Sequence, residues 1–325
     1  MSEQSRATSI SASHSLALSE INIIHSHTPF RLIAAQKKLP PSYDPYVPEG
    51  RELKNSVLIV GGPMGGSCRR VAEQYGFQNV VTPEDILVEW APGKGAEQST
   101  AWSFRPITFK MRTLSKPLPR LPTGEAMPTD AIFVFNDPRD WGMAIQVILD
   151  LIIPELGAAT KPPPLIFSNP DLLWASAHPT PRLGQGAFRA ALEGTYRRVV
   201  ETTRPDLDPQ LEYTCIGKPF QETYEYAEDQ LVKQAARKGK GTGKATSNAD
   251  GTLKRVYMVG DNPLSDIQGA NMYESPRGVE WVSVLVESGV YKPRRPLPLD
   301  GEPKVVVKDV WEGVKWALQR EGWNQ

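Results

Sequence analysis

The sequence predicts an α/β protein whose strands are mainly parallel. Short apolar runs alternate along the chain with segments of helical periodicity, which is typical of parallel strands joined by crossover helices. The length of 325 residues predicts about two domains. The hydrophobic fraction of 40% and the charged fraction of 23% are ordinary for a globular chain. This composition argues against wholesale disorder and against a fibrous repeat.

The first part of the chain contains three strand–helix pairs. The strands are predicted from apolar runs at residues 56–60, 131–135 and 165–167. The corresponding helices are predicted at residues 67–75, at 141–152 and from about 185 to 200. These pairs predict one α/β domain.

The pattern resumes after Thr214 with a helix that follows Gly217-Lys218-Pro219. Three further strands are predicted at residues 256–259, 282–286 and 305–307, with helices from about residue 265 and over residues 309–320. Asp309 and Glu312 form a capping box at the start of the last helix. Its apolar stripe is expected to face inward, at Trp311, Val314 and Leu318.

Three segments lack such a pattern. The serine-rich residues 1–18 are expected to be a disordered tail, since they contain neither a secretory signal nor a good transit peptide. Residues 91–130 are expected to be a long surface insertion, and the lysine- and glycine-rich residues 233–252 a flexible linker.

Charge and cysteine usage restrict the partners. The 37 basic and 37 acidic side chains cancel, which removes the field that nucleic-acid binding would use. No apolar run is long enough to insert into a membrane. Cys68 and Cys215 have no paired spacing, so we expect reduced thiols rather than a disulfide or a zinc site.

The most informative motif begins where the strand at residues 256–259 ends, at Gly260 and Asp261. Open parallel sheets bind ligands at the carboxyl ends of their strands. Asp266 follows at the start of a helix, where its carboxylate could face the same crevice and help to hold Mg²⁺. The alternative is structural: Asp261 would be a turn residue and Asp266 a helix cap. Lys218, which opens a helix upstream, could bind phosphate there together with the helix N-terminus.

These motifs resemble the haloacid dehalogenase (HAD) superfamily of hydrolases, subclass IIA. The chain is most similar to the cat eye syndrome critical region protein 5 family, through Gly217-Lys218-Pro219, Gly260-Asp-Asn-Pro-x-x-Asp266, the segment from Phe167 to Trp174 and further matches from about Leu18 onward. The resemblance implies a C2-type α/β cap over residues 19–214 and the C-terminal part of a Rossmann-like core over residues 215–325. It also implies Mg²⁺-dependent hydrolysis of a phosphate ester.

The resemblance also assigns roles to single residues. Asp261 would bind the metal, and Lys218 would stabilise the charge of the phosphoryl group. Asp266 would be the supporting carboxylate of the acidic motif. A small phosphorylated metabolite is the expected partner. Members of the family suggest a mitochondrial location, with the cytoplasm as the alternative, while the substrate and the oligomeric state are not written in the sequence.

One departure from the family concerns the nucleophile. The family opens with a strand that ends in Asp-x-Asp-Gly, and this motif is not found here; Asp206-Leu-Asp208 lies between prolines without a preceding apolar strand. The core is therefore expected to be incomplete, without its opening strand and inactive as it stands. Three hypotheses follow: a phosphatase-like hydrolase, a non-catalytic binding or scaffold protein with a remnant phosphate site, or an incomplete translation of a longer gene. We favour the third.

Other candidate residues are weaker. His25 and His27 could contribute to a metal site, but no third ligand is near them in sequence. Ser168-Asn169 follows a strand and could imitate a phosphate-binding turn. Trp174 is expected to pack in a core, although Trp174 and Arg182 could instead face a substrate.

Overall fold

The apolar runs form strands and the segments between them form helices. The computed structural model describes residues 1–63, 67–89, 109–153, 161–238, 253–293, 297 and 301–323. The chain divides into a first unit of residues Met1–Asn169 and Gln185–Cys215 and a second unit of residues Pro170–Gly184 and Ile216–Gln325. The sequence-based division at residue 214 had placed residues 170–184 with the first unit. The cap and core roles of the two units stay predictions.

The strands and helices follow the predicted order, with small shifts at their ends. The described strands are β1 (Ser56–Gly62), β2 (Val80–Val81), β3 (Thr129–Pro138), β4 (Leu165–Phe167), β5 (Leu173–Trp174), β6 (Arg182–Leu183), β7 (Thr214–Cys215), β8 (Arg255–Gly260), β9 (Glu280–Val286) and β10 (Val305–Val307). The described helices are α1 (Glu3–His14), α2 (Phe30–Gln36), α3 (Ser67–Tyr75), α4 (Pro83–Glu89), α5 (Phe109–Leu114), α6 (Trp141–Ile152), α7 (Gln185–Thr203), α8 (Gln221–Lys238), α9 (Gln268–Met272) and α10 (Val310–Arg320). Among these described helices, none has the length and apolar composition needed to cross a membrane.

The first unit is built on a parallel sheet in the order β2-β1-β3-β4-β7. Strand β1 is apolar on both faces, and its residues 57–60 are at most 1% exposed. A parallel strand with this pattern is covered on both sides. On one face Leu58 and Val60 pack with the apolar stripe of α6. On the other face the aromatic rings of Phe133 and Phe135 pack against Phe30.

The second unit contains a parallel sheet in the order β10-β9-β8 and a small antiparallel hairpin of β5 and β6. Within the described residues, β8 hydrogen-bonds to β9 along one edge and has no strand partner on the other. The side chains of β8 are only half-buried although the strand is largely apolar. The α/β class with parallel sheets is thus confirmed, and the missing opening strand stays a prediction.

The predicted inward stripe of α10 was wrong. Trp311 is 64% exposed, and Val314 and Leu318 are exposed as well. The helix instead approaches its sheet through Gly313, where an added Cβ would lie 3.3 Å from Val284. The small residue decides which face is buried because it allows the closest approach. Asp309 does cap the helix, since its side chain accepts a hydrogen bond from the Glu312 N–H.

The disordered tail predicted for residues 1–18 was also wrong, because most of it forms α1. The buried carboxylate of Glu3 accepts hydrogen bonds from the hydroxyls of Thr28, at 2.7 Å, and Tyr75. Burial alone would raise the pKa of Glu3, but these two donors outweigh it and the pKa lies below its usual value. Two buried hydrogen bonds to Glu3 thus connect a segment whose composition indicates disorder to residues far along the chain.

The two other irregular segments were predicted only in part. Helix α8 runs through Lys238, so the first residues of the predicted linker 233–252 are helical, and residues 239–252 lie outside the described part. Residues 91–108 of the predicted insertion also lie outside it. The following residues form α5, and Met111 is buried in the core of the first unit, contrary to a purely surface insertion.

Burial predicts that the two sheets differ in local stability. Amides that open only through unfolding of a buried sheet exchange more slowly than those of a half-exposed edge strand. Hydrogen exchange should therefore protect residues 57–60 of β1 more than residues 256–259 of β8, by roughly tenfold or more. Equal protection of the two strands would contradict this prediction.

Candidate functional site

The carboxyl end of β8 places Gly260 directly against Asp266. A Cβ on Gly260 would lie 2.3 Å from Cγ of Asp266, so only glycine allows this approach. Asp266 lies in a π-helical turn, Pro263–Ile267, that begins one residue after Asn262. The Asn262 side chain caps this turn by accepting a hydrogen bond from the N–H of Leu264, at 3.1 Å. The sequence thus folds back so that the carboxylate of Asp266 lies under the end of the strand.

Asp266 is only 4% exposed, and both of its carboxylate oxygens are engaged. Oδ2 accepts the backbone N–H groups of Asp261 and Asn262, each at 3.1 Å. Oδ1 accepts a hydrogen bond from Nζ of Lys218, with which it forms an ion pair. From the other side, the Tyr224 hydroxyl donates to the Asp266 carbonyl oxygen at 3.1 Å. The Asp266 carboxylate therefore fixes the positions of both the Lys218 ammonium and the backbone of the turn.

Lys218 lies between β7 and α8, whose first helical residue is Gln221 rather than Pro219 as predicted. Its side chain is 37% exposed. Burial disfavours the charged form, but the neighbouring Asp266 carboxylate outweighs this and raises the pKa of Lys218. Lys218 thus presents a permanent positive charge beside the end of β8.

Asp261 is half-buried and is held by the loop after β9. Its Oδ2 accepts the N–H of Val290 at 2.7 Å, and its carbonyl accepts the N–H of Tyr291 at 3.0 Å. A Cβ on Gly289 would lie 1.9 Å from Oδ2 of Asp261. In the described part of the chain, Oδ1 of Asp261 has no hydrogen-bond partner. This oxygen is the one that remains open to a ligand.

A fourth residue, Asp171, joins the network. The side-chain amide of Asn262 donates to Oδ1 of Asp171 at 3.1 Å. Burial raises the pKa of Asp171, although Lys218 and the Ser265 hydroxyl act in the opposite direction. Asp171 lies in the family-like segment from Phe167 to Trp174, and no role was expected of it. Its proximity to Asn262 depends on a contact between segments that are far apart in sequence.

The donor set fits Mg²⁺ through one carboxylate. Mg²⁺ commonly binds one or two carboxylates and completes its shell with water and phosphate oxygens. Asp261 offers a hard, open oxygen of this kind, whereas Asp266 is already occupied by Lys218 and two N–H groups. Within the described ranges, no three His, Cys, Asp or Glu residues are placed to share one ion. The structure brings Lys218, Asp261 and Asp266 together as expected, and their roles stay predictions.

Packing explains two of the other candidates, His27 and Ser168, but not Trp174. His27 is buried, its ring stacks on that of His25 at 5.2 Å, and burial lowers its pKa to about 3. Ser168 is fully buried and donates to the carbonyl of Phe135 at 2.8 Å, which is a structural role. Trp174 is 47% exposed and does not pack in a core as first expected.

Proteins of similar sequence identify the family. A family model for HAD-hydrolase-like proteins matches residues 215–313. The mitochondrial hydrolase YKR070W of Saccharomyces cerevisiae is 34% identical over 340 residues, which cover 98% of this chain and 83% of that protein. The chain belongs to the family of HAD-like hydrolases. The resemblance predicted from the motifs is thereby confirmed.

Two further likenesses complete this comparison. A cardiolipin synthase (CMP-forming) / mitochondrial hydrolase fusion protein of Schizosaccharomyces pombe is 32% identical over 331 residues, covering 98% of this chain. The chain spans 46% of the length of that fusion protein. The crystal structure of the hypothetical protein PH1952 from Pyrococcus horikoshii has a TM-score of 0.51 at 17% identity, covering 98% of this chain and 83% of the other. The chain therefore shares the fold of the Pyrococcus horikoshii protein.

The close contact between Gly289 and Asp261 can be tested by adding a methyl group. Gly289→Ala should lower the free energy of unfolding by about 1–3 kcal/mol, because the new Cβ overlaps the carboxylate and the loop must shift. Urea denaturation measures the effect. Gly194→Ala is the matched control: Gly194 lies in α7, and a Cβ added there would meet no atom within 4 Å, so no loss is expected. Equal stability of the two variants would contradict the contact.

Proposed function

We propose that this HAD-like hydrolase supplies the metal and phosphate site for Mg²⁺-dependent hydrolysis of a phosphate ester, with the fold of subclass IIA and a small phosphorylated metabolite as substrate. The 325 residues by themselves are proposed to be inactive, because they contain no aspartate nucleophile of the family type. The observation that carries the proposal is the grouping of Lys218, Asp261 and Asp266 at the carboxyl end of β8. This is the position at which parallel sheets bind ligands. Each residue type also suits phosphate chemistry.

Each of the three residues has a separate role in this proposal. Lys218 binds phosphoryl oxygens through charge-assisted hydrogen bonds, and Asp266 fixes the position of its ammonium. Asp261 holds the metal through Oδ1, while the N–H of Val290 fixes the orientation of its carboxylate. Mg²⁺, when bound, supplies further stabilisation of the phosphoryl charge.

The nucleophile is not among these residues. The sequence contains no Asp-x-Asp-Gly, so binding groups are present without the carboxylate that would form a covalent intermediate. The open edge of β8 supports a location for such a carboxylate. A parallel strand added there would end beside Gly260 and Asp261, within the same crevice.

The names of two relatives bear on the compartment. Both the Saccharomyces cerevisiae protein and the Schizosaccharomyces pombe fusion protein are named as mitochondrial hydrolases. A mitochondrial location is therefore part of the proposal.

The first prediction from this proposal concerns the chain of 325 residues by itself. It should show no Mg²⁺-dependent turnover of a generic aryl phosphate above the level of its Asp261→Asn variant, because the covalent step lacks its carboxylate. The measurement is release of the aryl alcohol with and without Mg²⁺. Turnover that disappears in Asp261→Asn would mean that another residue of this chain serves as nucleophile.

The second prediction tests the proposed function directly. A segment with an apolar strand and Asp-x-Asp-Gly, joined ahead of residue 1, should pair with the open edge of β8 and restore Mg²⁺-dependent hydrolysis. Changing the first aspartate of that segment to asparagine should reduce the rate by a factor of about 10³ or more, as removal of a nucleophile does. The asparagine form is the matched control, since it keeps the strand. If both forms fold and neither hydrolyses the ester, the proposal is wrong and a non-catalytic binding protein is favoured.

A further inference from the structure

Asp171 is fixed in place by its own segment as well as by Asn262. It precedes the hairpin of β5 and β6, where the N–H of Gly184 donates to the carbonyl of Leu172 at 2.9 Å. A Cβ on Gly184 would lie 2.6 Å from the carbonyl oxygen of Asp171, so the two strands of chain touch there. The backbone of Asp171 is therefore packed against Gly184, while its carboxylate accepts the Asn262 amide.

One hydrogen-bonded network connects Asp171 to Lys218. Asp171 accepts the side-chain amide of Asn262, whose backbone N–H binds Asp266, and Asp266 binds Lys218. The three carboxylates of Asp171, Asp261 and Asp266 all act electrostatically on Lys218. With one ammonium against three carboxylates, the formal charge of this group is negative.

The negative charge of these four side chains disfavours the binding of phosphate alone. A phosphate group carries a charge of about −1.5 to −2 near neutral pH, so a site of negative charge repels it. A divalent cation is attracted to the same site and reverses the balance once it is bound. Cation and phosphate then strengthen each other's binding by the same factor, as linkage requires.

We propose that Asp171 is a further member of the site whose charge makes phosphate binding depend on prior binding of a divalent cation. Its Oδ1 accepts the side-chain amide of Asn262. The ion pair with Lys218 is formed by Asp266, and the oxygen proposed to bind the metal belongs to Asp261. It acts through the field and through the position of Asn262. This inference rests on the proposed function, because it assumes that cation and phosphate meet at this site.

The test uses Asp171→Asn, which removes the charge but keeps an oxygen that can accept the Asn262 amide. Inorganic phosphate and Mg²⁺ are titrated separately and together, by calorimetry and by NMR of the residues around Lys218. Without Mg²⁺, phosphate affinity should rise about fivefold, because roughly 1 kcal/mol of repulsion is removed. Mg²⁺ affinity should fall by a similar factor, and the mutual enhancement should shrink. Glu274→Gln removes an exposed carboxylate of the same unit and should leave all three quantities unchanged.

Opposite changes in the two affinities separate this role from a structural one, since a loosened site would weaken both ligands. Asp171→Ala provides the structural comparison: it removes the acceptor, so the NMR signal of the Asn262 side-chain amide should move, while Asp171→Asn should leave it nearly in place. If the affinities for phosphate and Mg²⁺ both fall in Asp171→Asn, or if neither changes, the inference about Asp171 is wrong while the proposed function is unaffected. If neither Mg²⁺ nor phosphate binds the unaltered protein near Lys218, the proposed function fails first and the inference fails with it.

Discussion

The buried carboxylate of Asp266 determines the geometry of the candidate site. It accepts two backbone N–H groups at the end of β8 and the ammonium of Lys218. Gly260 must lack a side chain for this arrangement to form, and Tyr224 holds the backbone of Asp266 from the opposite side. A buried donor left without its acceptor costs about 1–3 kcal/mol. The position of Lys218 and the direction of Asp261 thus both depend on a residue whose two carboxylate oxygens are already hydrogen-bonded.

Local patterns predicted most of the elements because their causes are local. The bounds of α3 and β4 agree with the sequence analysis, since an apolar run or a helical period ends there at a turn residue. Gly260 and Asp261 were located in the same way, directly after an apolar strand. What the sequence could not reveal depends on remote contacts. Glu3 orders α1 through partners far along the chain, and Asp171 reaches Asn262 only because residues 170–184 belong to the second unit.

The exposed stripe of α10 shows a different limit of sequence reasoning. Periodicity correctly gave a helix with an apolar face, but it could not tell which face meets the sheet. Gly313 meets the sheet closely, since a Cβ added there would lie 3.3 Å from Val284 and 3.4 Å from Val259, whereas Trp311 is 64% exposed. An apolar stripe therefore predicts burial only when no smaller residue offers a closer approach. The same reasoning applies to β8, whose apolar side chains are half-buried because one of its edges has no strand partner in the described residues.

The hydrogen bonds also separate the roles of three carboxylates that look alike in sequence. A cation placed on Asp266 would have to displace an ammonium that is already bound there, and it would repel that ammonium. At Asp261 one oxygen is fixed by Val290 and the other points to no protein donor in the described residues, so a cation meets an oriented ligand without displacing anything. Asp171 accepts the Asn262 amide through Oδ1, and its carboxylate acts electrostatically on Lys218. Metal binding at Asp261, anchoring by Asp266 and a field from Asp171 are the roles that we propose, and they agree with which oxygen atoms are already in use.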